Sequence, residues 1–277
     1  MTDTAQGSQT NDNQTRVDEF RRLLLRPGSI ITLIVLMAVG VPLGLAGSPF
    51  LAVIPLLLGI LVIWFMADQK SQDSFFESYA KAHGMSRTHE KELPESTPLL
   101  RHDSRNTIEY LEGPLDDQTE GVLSLFQYVT TSQGIVDDRT TTEDHPYTLI
   151  LVQMPETVAV FGDIYAQDQA ASSILQGLAE VRQNGFEKLE LESQAMNNRY
   201  EIFAKGPNPV AVRQLFSPTF IEWMTAVADE GFSFELENGT LCVYAKGHRG
   251  TIGGLDDFKA TSIQVVKRIR EEMSTKV

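Results

Sequence analysis

From residue 29 to residue 67 the chain carries no formally charged side chain, and most positions are apolar. Read as one helix, that run would be about 58 Å long at 1.5 Å per residue, roughly twice the hydrocarbon thickness of a bilayer. Two crossings fit better: 30–46 and 50–66, each of 17 residues, joined by a turn at Gly47-Ser48-Pro49. Gly40, Pro42, Gly44, Pro55 and Gly59 are tolerable within membrane helices, and small residues let two backbones pack closely. The rival reading is a cleaved signal peptide, with Gly44-Leu45-Ala46 as a small-x-small site. It is disfavoured because cleavage would still leave 50–66 as an anchor.

The pattern changes after residue 67. "QDSFFESYAKAHG" (72–84) predicts a short stalk helix with Phe76, Tyr79, Ala80 and His83 on one face, ended by Gly84. "SRTHEKELPESTP" (86–98) reads as a polar connector. "VLSLFQYVT" (122–130), "YTLILVQM" (147–154) and "TVAVFGDIYA" (157–166) predict strands. "QDQAASSILQGLAEVRQNG" (167–185) predicts a helix, and "EKLELES" and "RYEIFAKG" predict strands joined by a polar turn. Two helices should follow over 208–216 and 217–231, the second capped by Ser217 with Pro218 at its first position. "FSFELENGTLCVYAKG" (232–247) is the strongest local signal: Asn238-Gly239 favours a tight hairpin turn between two alternating arms. Leu255, Phe258, Val265, Ile269 and Met273 space one face of a C-terminal helix.

Together these elements predict an α+β protein. A two-helix transmembrane hairpin precedes a soluble domain with a largely antiparallel sheet and packed helices. The boundaries are a disordered, basic N-terminal segment (1–28), the membrane hairpin (29–67), a stalk helix and connector (68–96) and the soluble domain (97–277). Strands followed by a helix occur twice, as a weak internal duplication would produce.

Charge sharpens this division. The 277-residue chain has a net charge of −14. The four acids and four arginines of residues 1–67 cancel, so the whole excess lies beyond them. A domain that acidic repels a phosphate backbone, which argues against nucleic acid as a partner. Arg16, Arg21, Arg22 and Arg26 precede the first span, the turn carries no charge, and Lys70 follows the second span. The positive-inside rule then puts both termini in the cytoplasm of a multi-pass plasma-membrane protein.

Candidate chemistry is sparse. Cys242, the single cysteine, sits in a strand-like apolar stretch and reads as a buried hydrophobe. "KGHRGTIGGLDD" (246–257) could present glycine N–H groups to a phosphate, yet it lacks the Gly-Lys-Ser/Thr ending of a phosphate loop. A flexible strand-to-helix loop is the favoured reading. His83, His89, His102, His145 and His248 show no zinc spacing, and the acidic stretch 136–145 lacks a calcium loop's alternation. No metal or other cofactor is expected. The one catalytic alternative gathers distant residues, His102, Asp103 and His248, into an acid–base site.

The pieces "SYAKAHGM", "STPLLRHDSRN", "EGPLD", "LESQAMNNRYEI", "LFSPTFIEWM" and "GTLCVYAKGH" together resemble an uncharacterised group of bacterial membrane proteins. That group has paired N-terminal spans and a cytoplasmic domain of unknown function. The resemblance implies a membrane location and an α+β domain, and it carries no functional residues. The sequence therefore points to a membrane-anchored cytoplasmic interaction or scaffold module without catalytic activity. Its partners would be the bilayer, through residues 30–66, and a protein or a second copy of itself, with Phe75 and Phe76 of the stalk as possible contacts. A membrane-bound enzyme, possibly a hydrolase, is the alternative; a channel-like oligomer is third, since neither span has an ionisable residue.

Overall fold

The computed structural model describes residues 72–89, 91–133, 140–170 and 185–275. The chain divides into two compact units, Met1–Tyr79 and Ala80–Val277. Among the described residues no helix is long and apolar enough to cross a membrane. The spans expected at 30–46 and 50–66 lie outside the described residues, as does most of the helix expected at 167–185.

Helix α1 covers 72–82 and stops at Gly84, whose φ of +66° is a left-handed turn of the kind that ends helices. Within it Phe75 meets Phe76 edge-on at 4.8 Å and stacks on Tyr79 at 6.3 Å. Phe76 is buried and Phe75 half-buried, so neither is the freely exposed contact expected of the pair.

The second unit is built on one antiparallel sheet of nine strands among the described residues, ordered β1-β2-β3-β4-β9-β8-β5-β7-β6. In chain order these are β1 (Ser86–Arg87), β2 (Arg105–Asp116), β3 (Thr119–Gln133), β4 (Thr140–Gln153), β5 (Asp163–Asp168), β6 (Glu187–Lys188), β7 (Tyr200–Lys205), β8 (Ser233–Glu237) and β9 (Thr240–Lys246). Helices α2 (Gln194–Arg199), α3 (Pro209–Leu215), α4 (Pro218–Ala226) and α5 (Ile252–Ser274) complete it. The α+β class with a large antiparallel sheet is thus correct.

Local chemistry explains most boundaries. The β8–β9 turn takes φ of +48° at Asn238 and +76° at Gly239, the double left-handed conformation of a tight hairpin. At Gly239 a Cβ would lie 2.7 Å from the Pro155 Cα, so space as well as dihedral demands glycine there. Asn208, Ser217 and Thr251 cap α3, α4 and α5 through their side-chain oxygens, which accept from the backbone N–H three residues on.

Some expectations are corrected. The "connector" 86–98 begins with β1, paired to β2, and buries Leu93 and Thr97, so the sheet begins well before residue 97. Strand β2 went unread because its polar run contains Gly113 and Pro114 and two register breaks, at Thr107/Glu109 and Pro114/Asp116, which scramble alternation. Strand β4 starts at Thr140, so Glu143 and Asp144 lie on a strand opposite Thr130 and Val129 rather than at a loop tip. The strand expected from 157 starts only at Asp163. Before it, Pro155–Thr157 form a 3-10 turn held by Thr157, and Gly162 turns at φ +68°. Residues 189–193 are not strand, and α2 replaces the polar turn expected before β7.

The hairpin's central place buries both of its faces. Phe234, Leu236, Leu241, Val243 and Ala245 pack towards the helices: Phe216 stacks on Phe234 at 6.2 Å, and Phe232 meets Phe258 of α5 at 6.4 Å. On the opposite face Cys242 and Tyr244 join Tyr110, Phe126, Tyr128, Tyr147, Leu149 and Leu151 in one cluster. That cluster is roofed by Leu93, Leu99 and Leu100 of residues 91–102, a strap laid across the sheet whose regular part is the single 3-10 turn Pro98–Arg101.

Candidate interaction groove

The strap is fastened by polar groups. Glu235 of β8 has no exposed surface and faces it; its Oε2 accepts from the Leu99 N–H at 3.0 Å. Its Oε1 accepts from Gln167 Nε2 and the Tyr244 hydroxyl, each at 3.0 Å. Burial pushes the Glu235 carboxyl above its ordinary range, and these donors only partly oppose the shift. Two residues further along β8, Glu237 receives both terminal nitrogens of Arg101 at 2.8 Å and the Tyr165 hydroxyl at 2.6 Å. Arg105 donates to the Leu100 carbonyl and pairs with Glu95 at 2.8 Å.

At its N-terminal end the strap opens a groove. After β1, Thr88 N–H still bonds the Tyr110 carbonyl at 3.0 Å, and then the chain veers away from β2. The separation leaves a groove of about 680 Å³. Its strap side is His89, Lys91, Glu92 and Leu93; its sheet side is Arg105–Ile108, with Phe126 also lining it. Strand β1 pairs β2 only at Leu111 and Glu112, so among the described residues no strand covers the outer edge of Arg105–Ile108. Besides the Arg105 contacts to Glu95 and Leu100, the Leu93 N–H reaches across to the Thr107 hydroxyl at 3.3 Å. Ile108 is skipped in the β2–β3 register, and its side chain is exposed.

The cations of this groove are already engaged. Lys91 pairs with Glu112 at 2.7 Å and lies 4.2 Å from the Tyr110 ring centroid. The hydrogen bond between Lys91 and Glu112 raises the one pKa and lowers the other. Glu92 and Asp103 are exposed, and neither has an ion-pair partner among the described residues. Glu109, by contrast, is buried with Arg87, its two oxygens receiving Nε at 2.8 Å and Nη2 at 2.6 Å.

Of the three residues of the alternative catalytic site, the two histidines have separate engagements and Asp103 is exposed. His102 stacks on Tyr128 at 3.9 Å and 7°. Tyr128 also stacks on His145, at 4.6 Å, and the His145 Nε2 lies 2.8 Å from the Thr130 hydroxyl. His248 holds Nε2 at 3.0 Å from the Phe126 carbonyl, and burial pushes its pKa down. The glycine-rich loop 246–257 is likewise tied: Gly247 N–H bonds the Pro146 carbonyl, Arg249 N–H the Thr148 hydroxyl, and Gly254 N–H the Thr251 hydroxyl. Those donors are not free to cradle a phosphate. Cys242 is fully buried, which pushes its thiol well above the ordinary range. Among the described residues no group of three metal-ligating side chains converges.

The sequence does not reveal the groove because one wall, His89 and Lys91–Leu93, falls in the stretch expected to be a polar connector and the other, Arg105–Ile108, in a part of the domain where no element is expected. Leu93, a single apolar residue inside a charged run, was the one available sign. Neither a protein-family model nor a curated protein matches the chain. The crystal structure of the mycobacterial trehalose monomycolate transport factor A, TtfA, is similar at 14% identity, over 70% of this chain and 95% of that one. Its TM-score of 0.41 is too low to transfer a site or an activity.

Proposed function

We propose that this chain is a membrane-anchored module whose acidic domain docks a protein partner in the cytoplasm. The observation that supports this reading best is the groove beside the outer edge of β2, where a strand edge and the exposed carboxylate of Glu92, without an ion-pair partner among the described residues, adjoin buried apolar side chains. The placement follows from the uncharged run 29–67 and the arginines before it, which favour two spans with both termini inside. The resemblance to paired-span bacterial membrane proteins agrees with that placement. The catalytic alternative loses ground because His102 and His248 are engaged by different neighbours and Asp103 is exposed.

Cysteine labelling in intact cells tests the placement. Cys242→Ala removes the native thiol, and Ser48→Cys or Ser274→Cys is then added singly. A membrane-impermeant maleimide should label position 48 and spare position 274. Labelling at 274 would put the acidic domain outside and end the cytoplasmic reading.

A further inference from the structure

The groove's geometry points to the form its occupant takes: we propose that an extended, basic segment of a partner protein adds to the outer edge of β2 at Arg105–Ile108. This deepens the proposed docking function and rests on it. A strand edge offers main-chain N–H and C=O groups that any extended peptide can pair, and side-chain pockets beside it give selectivity. At about 3.3 Å per residue, the four residues Arg105–Ile108 present an edge of about 13 Å, enough for a short added strand. His89 and Lys91–Leu93 supply the second wall, so the occupant would lie in a groove rather than on an open edge. Next to the register break the Ile108 side chain is 39% exposed and offers the guest an apolar contact, while Leu93 and Phe126 lie buried at the base of the groove. The break limits pairing to this short stretch, which restrains indiscriminate edge-to-edge association.

Charge selects the guest. Lys91 and Arg105 are neutralised by Glu112 and Glu95, which leaves the carboxylate of Glu92 in the lining without a cationic partner among the described residues. The residues beyond 67 carry the whole −14 charge, so the wider field also attracts cations and repels an acidic segment. A basic, extended peptide is therefore complementary both to the local rim and to the domain.

The test uses the full-length chain in nanodiscs of uncharged lipid and a fluorescent eight-residue peptide of alternating arginine and valine. A second peptide has the same sequence with alternate backbone amides N-methylated, which keeps its charge but removes donors from one edge. Fluorescence anisotropy should show the N-methylated peptide binding at least tenfold more weakly. Glu92→Lys, an exposed site that leaves the core intact, should weaken the unmodified peptide about fivefold, the scale of an exposed charge contact. Equal binding of the two peptides would mean attraction by charge alone and would overturn strand addition; so would no binding at 150 mM salt. Photo-crosslinkers placed in cells at Asn106 and at Glu271 on α5 separate this proposal from the function beneath it. Crosslinks only at 271 would overturn the groove and leave the docking module standing, whereas none at either position would sink both.

Discussion

On one face of β8, Phe234 and Leu236 lie among the helices, with Phe216 stacked on Phe234; on the other face of the same five-residue strand, Ser233, Glu235 and Glu237 carry polar atoms. Both faces exclude water, but different forces close them. Over the first, α3, α4 and α5 satisfy their own backbone groups and contribute apolar side chains such as Leu215, Phe220, Phe258 and Val266. The strap over the second has little regular structure, so its N–H groups and the sheet's buried side chains must find each other. Glu235 meeting the Leu99 N–H and Glu237 meeting Arg101 are that solution. Around Phe234 the helix face is therefore held by apolar area. The strap face is held partly by ionisable groups, and it is the side on which the groove opens.

Matched substitutions can break that contrast. Phe234→Ala should have the largest effect, about 3–5 kcal/mol from lost burial and a cavity among helices that cannot easily close. Urea midpoints should show the same loss at every pH from 5 to 8. Leu99→Ala on the strap should cost less, about 2–3 kcal/mol, because a single 3-10 turn settles into the space more readily than a layer of packed helices. A loss at Leu99 equal to that at Phe234 would mean that the strap is packed as rigidly as a helix layer.

Glu235→Gln is expected to cost about 1–2 kcal/mol at pH 5, since its amide turns a donor towards a neighbouring donor. Its pH signature matters more. The folded-state pKa of Glu235 is raised, so the proton is held more tightly when folded. Its contribution to stability is complete below the unfolded carboxyl value of about 4.3 and is lost as pH rises through the folded value. Wild-type stability should carry this falling component and the Gln variant should lack it, narrowing the gap between them towards neutral pH. A gap independent of pH would remove Glu235 as the source. Arg101→Ala should have the smallest effect, under about 1 kcal/mol, because its pair with Glu237 is partly exposed and solvent-screened. Hydrogen exchange should nevertheless speed up at Leu100 and Arg101 before it does in β8.

Read along the chain, the legible elements are those whose signal is local. Asn238-Gly239 needed only its own dihedrals, Ser217-Pro218 its own cap, and α5 its own 3.6-residue stripe. The apolar runs 122–130 and 147–154 are equally legible, because β3 and β4 run without a register break against each other in the buried middle of the sheet. Strand β2 was hidden because each break inserts a residue and reverses which parity faces inward. In 157–162, apolar composition suggested a strand, yet Val158 is exposed and Phe161 is fully buried at a turn. Hydrophobicity alone does not distinguish a strand from a turn whose side chains point into a core.

The sequence by itself determined the uncharged N-terminal run, the acidity of everything after it, the α+β class and the sharp hairpin, because composition and short-period patterning act over a few neighbouring residues. Only tertiary structure decided that residues 86–102 would be strand and strap instead of a linker, that Glu235 would lie buried beneath Leu99, and that β2 would keep a partly open edge. Those outcomes depend on which strands become neighbours, with partners such as Leu99 and Glu235 136 residues apart, and no local pattern encodes a meeting at that separation.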